Sequence, residues 1–159
     1  MDLPPSIAKV LNPLFSIYPL DVMLTQLLVT KGAATEQITL LELAERKEPI
    51  ASRADLRAGL WLYIDELDRS HTLSQGIDDA TGSFWHGIVH RREGDFGNSH
   101  YWFNRVGKHP AMAKIPRYDP HAFIDAVQAN SDGASKDLID LQRKEWAALF
   151  SWCANQHPG

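Results

Sequence analysis

The stretch from Ser83 to Pro110 constrains the fold more than any other part of this chain. Helix spacing places Trp85, Ile88, Val89 and the stem of Arg92 on one stripe, and His86, His90 and Glu93 at i, i+4 and i+7 on another, about a third of a turn away. One stripe packs; the other presents imidazoles and a carboxylate. Gly94-Asp95-Phe96-Gly97-Asn98 then interrupts the spacing with two glycines and offers Asp95 or Asn98 as the cap of a second helix. That helix is expected from about Ser99 to Val106, with Gly107 in a left-handed closing position and Pro110 preventing continuation. A helical hairpin is therefore the expectation for this stretch.

The rest of the chain gives further helices and no strands. Four prolines among residues 1–20 predict an arm anchored by Leu11, Leu14, Phe15 and Tyr18, with a short helix over Ser6 to Leu11 that Pro13 stops. Asp21 to Thr30 is apolar nearly all round, as a buried helix or a buried strand would be, and its Met, Leu and Gln residues favour the helix. A helix from Thr35 to about Lys47, with Ile38, Leu41 and Leu43 inside, is closed by Glu48-Pro49. Ser52 is the expected cap of a long helix from Arg53 to Gln75, whose stripe of Leu56, Leu60, Ile64 and Leu67 continues into His71 and Ser74. Asp78 and Asp79 supply cap chemistry to the Trp85 helix, and 111–118 looks irregular. Asp119-Pro120 begins a helix that ends near Ala129. The last helix, Ala134 to Ala154, buries Leu138, Leu141, Trp146, Leu149, Phe150 and Cys153. With no run of alternating apolar and polar residues, the chain reads as a compact all-α domain over 1–159, with the hairpin packed on the 53–75 helix.

Composition narrows the function classes. A length of 159 residues suits one domain, and 44% hydrophobic with 23% charged residues is an ordinary globular balance. The net charge is −4 and no basic stripe extends beyond Arg91-Arg92, so nucleic acid is not an expected partner. Cys153 stands alone, which excludes an intramolecular disulfide or a thiolate metal cluster and suits a reducing, cytoplasmic setting. No apolar run reaches the length of a membrane span, and the first residues lack the pattern of an export signal, so neither is expected. No phosphate-cradling glycine loop and no serine nucleophile elbow is present.

Four of the seven histidines (His86, His90, His100, His109) lie between Ser83 and Pro110, and His71 points inward from the preceding helix. Three readings are open. Two imidazoles at i, i+4 can hold one divalent transition metal, with Glu93 and His71 or Asp65 completing the set. Alternatively, His86 and His90 bond backbone groups, or stack between Trp85, Tyr101 and Trp102, as core residues. In the third reading a metal-free pocket binds an anion through Arg91, Arg92 or Arg105, with His90 and Glu93 or Asp95 as acid and base. The leading expectation is a ligand-binding or protein-interaction module whose polar pocket is lined by His71, His86, His90, Arg91, Glu93 and Arg105, taking a small anionic ligand or a protein. The rival is a metal-dependent, hydrolase-like enzyme using His86, His90, Glu93 and His71. Arg91-Arg92-Glu93 otherwise reads as a solvated face; Trp85, Trp102, Phe103 and Cys153 read as core. Several imidazoles in one pocket would make it pH-sensitive.

Two resemblances accompany these residues. Gly87, His90, Gly94, Phe96, Ser99, Phe103, Val106 and Pro110 fall near the spacing of the tetratricopeptide unit, which implies helix pairs, and Ala58, Trp61, Leu67, Ser70 and Ile77 echo them twenty-nine positions earlier. The runs Gly82-Ser83-Phe84-Trp85-His86-Gly87-Ile88-Val89-His90-Arg91-Arg92-Glu93 and Asn98-x-x-Tyr101-Trp102-Phe103-x-Arg105-Val106-Gly107-x-His109-Pro110 resemble the signature of an uncharacterised family of small bacterial and fungal proteins. Residues like Ser70-His71 and Gln75 precede that signature in the family. The resemblance covers residues 55 to 110, about a third of the chain, and implies no particular activity.

Overall fold

Asp79, Asp95, Asp119 and Ser135 each begin a helix by accepting a backbone N–H of the first turn: from Gly82, Asn98, His121 with Ala122, and Leu138 respectively. A computed structural model describes residues 1–130 and 135–156. Its described residues form eight α-helices and no strand, so the chain is all-α. These are α1 (Pro5–Ile17), α2 (Thr35–Ala44), α3 (Ala54–Tyr63), α4 (Leu67–Gln75), α5 (Ala80–Arg92), α6 (Phe96–Val106), α7 (Pro120–Ala129) and α8 (Lys136–Ala154), with 3-10 turns at Leu20–Val22 and Pro110–Lys114. None of these helices is long and apolar enough to cross a membrane.

Helices α3–α4 and α5–α6 are two hairpins joined by the same kind of turn, twenty-nine positions apart. Asp65 (φ 66°) and Gly94 (φ 84°) both take the left-handed conformation that reverses the chain. The next residues, Glu66 and Asp95, donate N–H to Trp61 and His90 carbonyls, 2.9 Å in each hairpin. Ser70 and Ser99 donate their hydroxyls to the carbonyls of Ala58 and Gly87, at 2.8 and 2.7 Å, in each case 12 residues earlier. The second hairpin is closer-packed: a Cβ at Gly87 would lie 2.7 Å from the Phe103 ring.

Helix α8 closes the core. Trp146 donates its indole N–H to the Gly59 carbonyl and packs with Phe15, Tyr63 and Phe150. It also carries Glu145, which accepts two hydrogen bonds from the Arg91 guanidinium at 2.8 and 2.9 Å; both side chains are fully buried. Tyr118 donates its hydroxyl to the same carboxylate, and Phe123 lies 4.0 Å below the guanidinium. Arg92 is equally buried and donates to the carbonyls of Gln26 and Leu62 and to Asp65 at 2.6 Å. Arg91-Arg92 is thus no solvated face. Two guanidiniums leave water here because each meets a carboxylate, with the Gln142 amide oxygen added at Arg91 and backbone carbonyls at Arg92.

Five other expectations differ from the structure. The first helix runs through Pro13 to Ile17, because Pro13 is exposed and its missing amide leaves a carbonyl on the water side, while Ile7, Leu11 and Leu14 hold the buried side. Residues 21–30 do not form a helix after the 3-10 turn. Side chains bind their carbonyls instead: Arg143 to Met23, Gln142 to Leu24 and Gln26, and Arg92 to Gln26. The 53–75 segment is two helices rather than one, since Asp65 turns left-handed and its carboxylate is fixed by Arg92 and Gln26. Ser52 bonds Glu48 and caps nothing, and Leu43 is exposed on an α2 that stops at Ala44.

Candidate metal centre

The α4–α5 contact brings His71 over His86 and His90, which lie one turn apart on α5. Ring centroids are 4.6 Å apart for His71–His86, 4.7 Å for His86–His90 and 5.3 Å for His71–His90, so His86 is the middle ring. One ring nitrogen from each of His71, His86 and His90 lies within 4.8 Å of the others. His86 and His90 are 3% and 6% exposed, while His71 is partly exposed and forms the open side. Trp102 of α6 stacks on the His86 ring at 3.9 Å, fixing its plane.

Protonation states follow from these surroundings. Burial, then the neighbouring His90 and His71, lowers the His86 pKa to about 4, so this imidazole is a neutral base at neutral pH. Its Nδ1 is buried and has no hydrogen-bond partner among the described residues. His90 Nδ1 is hydrogen-bonded to Glu93, one turn further on. That carboxylate holds the proton on Nδ1 and leaves the His90 lone pair on Nε2. The ligand set His71, His86, His90 and Glu93 therefore divides: three imidazoles form one group, and His90, Glu93 and Asp95 form a second, sharing His90. Asp65, the other expected ligand, is taken by Arg92 and Gln26.

The expected pocket loses one of its arginines. Arg91 faces α8 and Glu145, on the buried side of α5, where it cannot reach a ligand beside the histidines. Arg105 is exposed and lies over the rings of Trp102 (5.4 Å) and Tyr101 (6.0 Å), so it borders the indole that backs His86. Glu93 also lines a hollow of about 260 Å³ with Lys31, Asp65, Glu66 and Asp68, a hollow that none of the histidines lines. Asp95 is occupied as the cap of α6, and its other oxygen is 3.9 Å from His90 Nδ1.

Sequence reasoning did not find the other histidine contacts. His100 Nδ1 lies 2.7 Å from His121 Nδ1, and His100 Nε2 lies 3.0 Å from Asp125. His109 accepts from the Ala111 N–H through Nδ1, so its Nε2–H donates to Thr81; burial lowers its pKa. Asp119-Pro120 does place His121 in the first turn of a helix, but nothing local signals that α7 runs beside α6. No family model, curated protein or solved structure matches this chain.

Proposed function

We propose that the chain is a helical ligand-binding module whose ligand is a divalent transition metal held by His71, His86 and His90. The carrying observation is the gathering of three imidazoles within 4.8 Å, centred on a ring with an unpartnered buried nitrogen. Such a nitrogen costs about 1–3 kcal/mol when left unsatisfied, and a metal bound by that ring offsets the cost. The chemistry suits zinc or its neighbours: neutral nitrogen donors, one of them oriented by a carboxylate through its second ring nitrogen. Three neutral ligands leave a coordination position for water or an anion, reached from the His71 side.

Metal content of the purified protein, followed by titration of the metal-free form with cobalt, tests the reading. One metal per chain with a tetrahedral visible spectrum is expected, lost in the His86→Ala, His90→Ala variant. Unchanged cobalt affinity in that variant would sink it. Glu93→Gln keeps the size but weakens acceptance from Nδ1, and affinity falls about tenfold. A second reading, a metal-dependent hydrolase-like enzyme on the same histidines, is favoured by the partly exposed His71 side, where a metal-bound water would be open to a substrate.

A further inference from the structure

An imidazole from each helix joins α6 to α7. His121 and Asp125 lie one turn apart on α7, and His100 of α6 meets both: its Nδ1 is 2.7 Å from His121 Nδ1 and its Nε2 is 3.0 Å from Asp125. The two ring planes are parallel to within 1°. Such a contact counts protons, because an N–H···N hydrogen bond needs one of the facing nitrogens bare. In the neutral pair Asp125 accepts the Nε2–H of His100, so His100 Nδ1 is bare and His121 Nδ1–H donates to it. A first added proton goes on the remaining lone pair, at His121 Nε2, and leaves the contact in place with a charged donor. A second can go only on His100 Nδ1. It sets N–H against N–H between two cationic rings, and the bond is lost.

The surroundings leave this pair free to act. The His100 side chain is 31% exposed, so protons reach it from solvent. Among the described residues Asp125 is the one carboxylate in ion-pair reach of either ring. The other charged groups nearby are engaged elsewhere: Asp119 of the α7 cap accepts from the His121 and Ala122 N–H groups, Arg91 of α5 lies against Phe123 and is held by Glu145 of α8, and Arg105 of α6 lies over Tyr101 and Trp102. The apolar seat of α7 is small. Phe123 and Val127 share with Leu27 a cluster separate from the main core, which Ile124 alone of the buried α7 side chains joins.

We propose that the His100–His121 pair is an acid-released latch between α6 and α7, closed with at most one added proton and opened by the second, which frees α7 to uncover Phe123 and Val127. Hydrogen exchange of the full chain in metal-free buffer, corrected for intrinsic rates, reads this opening. Between about pH 7.5 and about pH 5, the range over which imidazoles change charge, protection of the α7 amides should fall about tenfold, the worth of one such hydrogen bond, while α3 keeps its protection. His121→Asn, whose amide donates to a bare nitrogen or turns to accept from a protonated one, should hold α7 protection constant over the same range. Asp125→Asn, at an exposed position, removes the carboxylate that favours a charged His100 and should move the fall to lower pH. The His86→Ala, His90→Ala variant should open as the wild type does, which separates the latch from the metal centre. An equal fall in α3 and α7, the same fall in His121→Asn, or an unmoved midpoint in Asp125→Asn would overturn it.

Discussion

His71 and His100 stand twenty-nine positions apart, each on the second helix of a hairpin with the same turn, yet they enter opposite kinds of cluster. His100 and His121 have ring planes parallel to within 1°, centroids 5.0 Å apart and facing nitrogens at 2.7 Å, so the rings lie edge to edge in one plane and share a proton. Asp125 accepts the Nε2–H of His100, whose Nδ1 then accepts from His121. That cluster is a completed hydrogen-bond chain. Around His71 the rings meet edge to face or stacked, and the middle one keeps a buried nitrogen without a partner. Closeness of imidazoles is common to both. What distinguishes a candidate ligand set from a finished contact is whether the nitrogens are already spoken for.

The sharpest way to break that contrast is to add metal to paired variants. At about one hundred times the dissociation constant, zinc should stabilise the wild type and the His100→Ala, His121→Ala variant by about 2.7 kcal/mol, and the His86→Ala, His90→Ala variant hardly at all. Equal shifts in the two variants, read by thermal unfolding, would erase the distinction. The hairpins themselves differ next. Gly87→Ala forces a methyl against Phe103 and should cost about 1–3 kcal/mol, while Ala58→Gly at the matching position should cost about 1 kcal/mol; urea unfolding measures both. Smaller still, Ser70→Ala and Ser99→Ala each leave a buried carbonyl without its hydroxyl donor and should lose about 1 kcal/mol apiece. Markedly unequal losses would mean that the two turns are alike in outline only. Last, His109 has a folded pKa below that of the unfolded chain, so its contribution is complete above about pH 6.5 and declines as the pH falls towards the folded value. A His109→Gln variant should show a shallower decline across that window in metal-free buffer.

Much of this was legible from residue order. The caps at Asp79, Asp95 and Asp119, the stop after Val106 and the burial of Trp146, Leu149, Phe150 and Cys153 on α8 all follow from local chemistry, and the convergence of His71 on His86 and His90 follows from helix period plus a hairpin. Long-range pairing was not legible. Arg91 sits between His90 and Arg92 in sequence, and only the arrival of Glu145 from α8, 54 residues later, turns it inward. The same holds for 21–30, where apolar content suggested a helix but side chains from α5 and α8 claim the carbonyls that a helix would use internally. Asp65 looked like one more acid on a continuous helix until Arg92 fixed it in a reversing conformation.

The buried Arg91–Glu145 pair makes the last helix indispensable to the first half of the chain. A fragment ending at Asn130 would keep all three imidazoles and both hairpins, yet leave a guanidinium facing the Phe123 ring with no counter-charge, at a cost of about 3–5 kcal/mol. Minimal versions of the candidate metal centre must therefore carry α8 along, since removing it takes away Glu145 and the Trp146, Leu149 and Phe150 face of the core with it. The candidate site thus depends on an ion pair that takes no part in it.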